Sequence, residues 1–386
     1  MYIPRILEEN INKSIKNNKI LILLGARQVG KTTLLKKIIS TTTGTIINLD
    51  IGVDLSKFES ASKMTPNEAL RFLGGGKVLV IDEAHKYPDT GRVVKGWYDF
   101  GIDKKIILSG SSSLNLLGNH TESLAGRNEK LFLTPFLFEE ILTSQSWYSK
   151  EVVLEDQTRS LIDKLLIYGS YPEAVETDDP EKYLLNLVSD ALLRDLLQEG
   201  LVRSSTIIKK LLLLLAYQIG SEVSVSELSR NLEVSRLTIE KYLDLLEKVY
   251  VIFRLPSYST NPRKEIVKSQ KIYFWDVGIR NALINEFKMP ESRTDIGALW
   301  ENFVISEFAK DNAMKEKNNN LYFWRTRDGS EVDLVIKGKS ELKAFEIKYG
   351  NGKVENKKSF FDKFGEKVEI INKQNFVYFR TQKLGF

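Results

Sequence analysis

The sequence predicts an α/β protein with a parallel-sheet domain at its amino end, a helical middle region and a second, smaller α/β domain at its carboxyl end. Three stretches carry that prediction. The apolar run Ile20–Leu24, a glycine-rich turn and a helical run to Ile39 follow one another directly. Lys77–Ile81 is an apolar strand that stops on Asp82-Glu83. Far downstream, a helical run at 298–308 precedes strand-like runs at 321–325, 331–336 and 342–348 that carry acids.

The first stretch has the firmest chemistry. Gly25-Ala26-Arg27-Gln28-Val29-Gly30-Lys31-Thr32 matches G-x-x-x-x-G-K-[ST], the phosphate-binding P-loop, and Thr33 opens the helix behind it. Such a loop turns backbone N–H groups inward, and the new helix adds its positive end. An anionic triphosphate is thereby held with few side chains. Lys31 is expected at the β- and γ-phosphates, and the Thr32 hydroxyl on Mg²⁺.

The second stretch completes the reaction. Asp82, at the end of a buried parallel strand, is expected to hold the metal directly or through water. Glu83 is placed to orient and deprotonate the attacking water. The continuation Ala84-His85 spells Asp-Glu-Ala-His, as in one helicase class, but no second P-loop region accompanies it. Lys104–Leu108 is a further strand ending in Ser109-Gly110-Ser111-Ser112-Ser113. Ser111, with Ser109 second, is the expected γ-phosphate sensor. Arg127, in Ala125-Gly126-Arg127, is a candidate for stabilising transition-state charge in its own subunit or in a neighbour. Guanine specificity would call for Asn-Lys-x-Asp; the nearest text, Asn372-Lys373-Gln374-Asn375, lacks the acid. ATP is the expected nucleotide.

Composition sets outer limits. The 386 residues call for two or three domains. With no cysteine, disulfides, thiolate-bound zinc and cysteine nucleophiles are excluded. His85 and His120 are the whole histidine complement, too few for a histidine-rich metal site. No apolar run reaches the ~20 residues that span a bilayer, and Met1-Tyr2-Ile3-Pro4-Arg5 lacks the layout of a secretory signal. A cytoplasmic location is expected. The net charge of +5 is compatible with a nucleic-acid partner without arguing for one.

Residues 5–18 read as an amphipathic helix leading into the first strand, and beyond the ATP-binding region the middle of the chain reads as leucine-rich helices across 180–220. Ser224 and Glu227 stand at capping-box spacing before a short helix. Glu233-Val234-Ser235 is a turn, Arg236–Tyr250 a longer helix, and Val251–Leu255 with Lys271–Trp275 a hairpin. This is the order of a winged helix-turn-helix. Arg236, Lys241, Arg254, Arg263, Lys264 and Lys268 are candidates for DNA phosphates, diluted by Glu240, Asp244 and Glu247.

In the last third, Asp333 on one strand and Glu346-x-Lys348 on the next, with Glu301 on the preceding helix, resemble the PD-(D/E)XK nuclease core. Strand alternation sets Glu346 and Lys348 on one face. Asp333 and Glu346 are then candidates for a second divalent metal, Glu301 a further ligand, and Lys348 a group that orients water or neutralises phosphate.

The P-loop, the Asp-Glu-Ala-His strand end, Ser109-Gly110-Ser111-Ser112, Ala125-Gly126-Arg127, Pro135–Glu140 and Tyr168-Gly169-Ser170-Tyr171-Pro172-Glu173-Ala174 together resemble the bacterial and archaeal AAA-type ATPases with a C-terminal domain of unknown function. That family more often has a glycine pair where this chain has Gly169-Ser170. The resemblance covers nearly the whole chain. It implies an ATPase domain over 1–150, a helical and winged-helix region over 151–285, and a restriction-endonuclease-like domain over 286–386. Two functions follow as expectations. One is an ATP-driven switch or motor acting on or near nucleic acid through the nuclease-like domain. The other is a nucleotide-controlled interaction protein, with a protein partner, whose nuclease-like domain is catalytically silent. A small-molecule kinase is a third, poorer reading, since no acceptor-site motif is present. Homo-oligomerisation is compatible with all of them.

Overall fold

A computed structural model describes residues 2–110, 124–149, 154–192, 204–259, 270–326, 328–350 and 357–381. The chain forms two compact units. One comprises Tyr2–Thr134 with Lys248–Tyr250, and the other Pro135–Glu247 with Val251–Phe386.

In the first unit, the apolar runs become the strands of a parallel sheet: β1 (Ile20–Leu24), β2 (Gly44–Asn48), β3 (Val78–Asp82), β4 (Lys105–Gly110) and β5 (Asn128–Phe132). Their spatial order is β2-β3-β4-β1-β5, and every pairing is parallel. Parallel strands covered on both faces should be apolar throughout. β1, β3 and β4 are buried at every position, whereas β2 and β5, at the edges, are half-buried. Ile22, Ile81 and Leu108 join Phe58, Trp97 and Leu73 in one core, where Phe58 meets Tyr87 and Trp97 edge-on. Truncating a fully buried strand residue such as Ile81 to Ala should cost about 2–5 kcal/mol.

β4 lies between the P-loop strand and the acidic strand, as expected of ATPases with an extra strand there. All the strands point the same way, so the loops after β1, β3 and β4 gather at one edge. The helix Lys31–Thr41 starts from Gly30, which has φ of 93°, and buries Leu34, Leu35 and Ile38 at helical spacing. It ends where Thr42 turns extended.

In the second unit, the helix Glu155–Tyr168 stops at Gly169, with φ of 67°. A Cβ there would lie 2.0 Å from an Asp276 carboxylate oxygen, so only glycine fits. Asp276 accepts hydrogen bonds from Ser170 N (2.7 Å) and Ser170 Oγ (3.1 Å), and caps the helix Val277–Ile284 through Gly278 N (2.9 Å). The Ser170 hydroxyl also accepts from Lys310 Nζ at 2.8 Å. A second glycine would lose both contacts, which accounts for serine here.

The helices Val225–Leu232 and Arg236–Lys248 come next, followed by the antiparallel pair β6 (Ile252–Pro256) and β7 (Gln270–Phe274). Ser224 Oγ accepts from Glu227 N at 3.3 Å and caps the first of them. A 19-residue helix, Ile296–Met314, then leads into β8 (Asn320–Arg325), β9 (Glu331–Lys337) and β10 (Leu342–Ile347). Neighbours among these three are antiparallel, and β11 (Val368–Ile371) returns parallel to β10 after the helix Lys358–Phe364. Trp324 packs edge-on against Phe360 beneath this sheet. Among the described residues, no helix is long and apolar enough to cross a membrane.

Candidate functional site

The loop 25–30 turns on three positive φ values: Gly25 at 157°, Gln28 at 62° and Gly30 at 93°. At Gly25 a Cβ would meet the Leu133 carbonyl oxygen at 2.2 Å, so close backbone approach demands glycine. Lys31 is buried, and its ammonium donates to the carbonyls of Gly25 (2.9 Å) and Ala26 (2.8 Å). Arg27 and Gln28 are exposed on the loop, Val29 is buried beneath it, and Thr33 is the third residue of the helix.

Asp82 is 1% exposed and accepts from three groups. Thr32 Oγ1 donates to Oδ2 at 2.6 Å, Ser109 Oγ donates to Oδ1, and the Glu83 N–H reaches Oδ1 at 3.1 Å. P-loop, acidic strand and β4 therefore converge on one carboxylate. Ser109 occupies the position facing Asp82; Ser111 lies outside the described residues.

Glu83 has φ of 51°, an uncommon backbone state that for a glutamate costs on the order of 1 kcal/mol. Burial raises its pKa, the neighbouring Lys31 opposes that, and Asp82 and Asp50 add to it. A carboxylate so raised is a stronger base than an exposed one. Nδ1 of His85 lies 3.3 Å from Glu83 Oε2, without hydrogen-bond alignment. Burial, with nearby Lys86, pushes His85 down to about 4, so it is neutral at pH 7 and the contact is not an ion pair. Lys86 instead pairs with Asp50 at 2.9 Å.

Arg127 is not among these groups. Its carbonyl accepts from Ile20 N at the opening end of β1, and its guanidinium is paired with Asp99 at 2.6 Å. The five residues of β1 separate that edge from Gly25, about 16 Å at the usual rise. A transition-state role in its own subunit has no support from this placement.

One contributor was not legible in sequence. Arg5 is buried and donates from Nη1 to the carbonyl of Val29 (3.0 Å) and from Nη2 to that of Thr134 (2.7 Å). It ties the P-loop backbone to the segment after β5. A lone arginine ahead of an amphipathic helix carries no signal of that.

The second unit holds the other carboxylates. The β9–β10 register pairs Leu334 with Phe345, so Asp333 and Glu346 come next to each other. Asp333 accepts from Ile347 N at 2.7 Å. Burial, with Glu301 and Glu346 nearby, pushes Asp333 up to about 7. Glu346 meets Lys348 at 2.8 Å and Lys357 at 3.2 Å. Glu301 accepts from Lys271 Nζ (3.1 Å) and the Tyr273 hydroxyl (2.5 Å). No group of three or more such side chains able to hold a metal occurs among the described residues. Glu301 is engaged by Lys271 and Tyr273 and Glu346 by Lys348 and Lys357, so these carboxylates do not fit a second metal as they stand.

Comparison with known proteins identifies the domain that holds the first site. Residues 17–142 match the family model described as an AAA domain. This segment is an AAA-type P-loop ATPase domain. Arg5 lies ahead of the matched AAA segment. Two models described as domains of unknown function match 159–289 and 296–386 (DUF8612 and DUF4143). An uncharacterized protein of Mycobacterium tuberculosis is 29% identical over 88% of this chain and 72% of its own length. One from Methanocaldococcus jannaschii is 28% identical over 86% and 76%. Among solved structures, a Walker-type ATPase of Pyrococcus abyssi superposes with a TM-score of 0.51 at 17% identity, covering 73% of this chain and 96% of that one. At that identity the likeness concerns the fold.

Proposed function

We propose that the protein hydrolyses ATP at the AAA domain and uses the cycle as a switch or motor, its output lying in a C-terminal nuclease-like domain that acts on or near nucleic acid. The observation that carries the ATPase reading is Asp82, bonded to Thr32 and flanked by Glu83 at the carboxyl edge of the sheet. Thr32 and Asp82 present adjacent oxygens, the donor set that suits Mg²⁺. Thr32 and Asp82 would hold Mg²⁺, which would supply positive charge against the charge developing on the transferring phosphate. Lys31 exchanges its loop carbonyls for phosphate oxygens. Glu83 accepts the proton of the attacking water, and Ser109 keeps Asp82 oriented.

The helix–turn–helix with its β6–β7 pair supports a winged-helix reading of 224–274. Arg254, however, is held by Asp244 (2.6 Å) and flanked by Glu247 (3.6 Å) and Glu240 (3.9 Å), which withdraws it from phosphate contact. Arg263, Lys264 and Lys268 fall outside the described residues. The run helix, three antiparallel strands, helix, parallel strand supports the PD-(D/E)XK reading of 296–371. A second reading, a catalytically silent domain used for interaction with a protein partner, is favoured by the lysines that occupy the carboxylates.

Two assays test this. Lys31→Ala abolishes tight ATP binding, whereas Glu83→Gln binds ATP and traps it with a loss of 10² or more in turnover. Normal hydrolysis by Glu83→Gln removes the base assignment. For the output, Mg²⁺- or Mn²⁺-dependent cutting that disappears in Asp333→Ala supports the nuclease. Absence of cutting on every DNA and RNA form leaves the interaction reading.

A further inference from the structure

Lys271 stands on β7, outside the helix-and-strand run that carries Glu301, Asp333 and Glu346. Its side chain is 4% exposed, with Nζ 3.1 Å from Glu301 Oε1 and 2.5 Å from Glu331 Oε1, over the ring of Phe323 at 5.5 Å. Hydrogen bonds on both sides set this placement. Asn302, next to Glu301, accepts from Phe274 N (2.9 Å) and donates to Phe274 O (2.8 Å), so β7 is fastened to the helix that presents Glu301. Tyr273 adds its hydroxyl to the same Glu301 oxygen.

Burying an ammonium or a carboxylate costs several kcal/mol unless opposite charge and hydrogen bonds compensate it. Here each compensates the other. A divalent ion needs several carboxylate oxygens turned toward one point. Glu301 is turned toward Lys271 and Tyr273 instead, and Glu346 toward Lys348 and Lys357. Glu346 Oε2 is buried and accepts no hydrogen bond, despite Lys357 at 3.2 Å.

We propose that Lys271 is the resident cation of this carboxylate set, supplying the positive charge that a nuclease-like site takes from a metal, so that a divalent ion enters only when Lys271 is removed. The inference takes the grouping of the carboxylates from the nuclease-like reading and goes with its catalytically silent form, since metal-dependent cutting would need the ion that Lys271 replaces.

The test is Mn²⁺ binding to the full chain without nucleotide, read by electron paramagnetic resonance, in an Asp82→Asn background that weakens the P-loop metal site. With Lys271 present, no Mn²⁺ site dependent on Asp333 should appear below about 1 mM. Lys271→Met should bind one Mn²⁺ at least tenfold more tightly, and adding Asp333→Asn should abolish the gain. Lys271→Arg keeps the cation and should behave as Lys271 does. A tight Asp333-dependent site with Lys271 in place overturns the proposal, whatever the variants do. So does a folded Lys271→Met that gains nothing. If Lys271→Met unfolds, rescue of its melting transition by Mn²⁺ but not by Na⁺ supports the proposal, and no rescue overturns it. Cleavage is read separately: if no variant cuts nucleic acid yet Lys271→Met takes up Mn²⁺, the nuclease function fails and the cation assignment stands.

Discussion

Replacing Arg5 tests how the P-loop is held. Its Nη1 donates to the carbonyl of Val29, and that carbonyl shares one planar trans peptide with the N–H of Gly30. In such a peptide the two groups point in opposite directions. Fixing the oxygen on Arg5 therefore aims the Gly30 N–H away from Arg5, into the loop proposed to bind phosphate. A hydrogen bond to a charged group contributes about 1.5–3 kcal/mol. If Arg5→Gln frees that peptide to rotate, preorganisation of one phosphate contact is lost, about 1.5–2 kcal/mol, or a 10- to 30-fold rise in the Kd for Mg·ATP. Turnover at saturating ATP should stay near wild type, because the contacts at stake hold the loop backbone at Val29, whereas the base and the metal ligand are Glu83 and Asp82. Arg5→Lys keeps the charge but not the fork that spans two carbonyls, so it should fall between. The assay is titration with a fluorescent ATP analogue, alongside the melting temperature. A lowered melting temperature with unchanged Kd would refute the reasoning, since Arg5 would then serve the fold alone.

Ser109→Ala removes a hydrogen bond from the buried Asp82 carboxylate and should weaken Mg²⁺ dependence of the ATPase by roughly tenfold, measured as the Mg²⁺ concentration for half-maximal rate. Asp311 is depressed from 3.8 to about 2, its burial outweighed by Arg380, Lys315 and Lys317. Its folded pKa lies below its unfolded one, so its stabilisation is present above about 4 and lost as pH falls through 2. At pH 7 Asp311→Asn should cost about 2 kcal/mol, shrinking toward pH 3 in denaturant titrations.

Much of the first unit could be read from sequence because its signals are local. The glycines at 25 and 30, the lysine and threonine after them, and an apolar run ending in Asp-Glu each state their chemistry within a few residues. The extra strand β4 followed from its apolar run and polar end. The choice between Ser109 and Ser111 did not follow, because register across the sheet decides which serine faces Asp82. For Arg127 the placement withdraws support only from the role in its own subunit, because an arginine before a strand lies at the opposite edge from the loops after the strands; the role in a neighbour is a separate reading.

In the second unit, strand alternation brought Glu346, Lys348 and Asp333 into view, but not what holds them. Lys271 comes from a hairpin distant in sequence, and its pairing with Glu301 depends on Asn302 fastening β7 to a helix. Arg5 reaches Val29 and Thr134 across 24 and 129 positions. Sequence by itself determined the nucleotide chemistry, since a phosphate cradle is built from consecutive backbone groups. Tertiary structure decided which charges meet, because the energy of a buried carboxylate depends on partners that only folding brings within 3 Å.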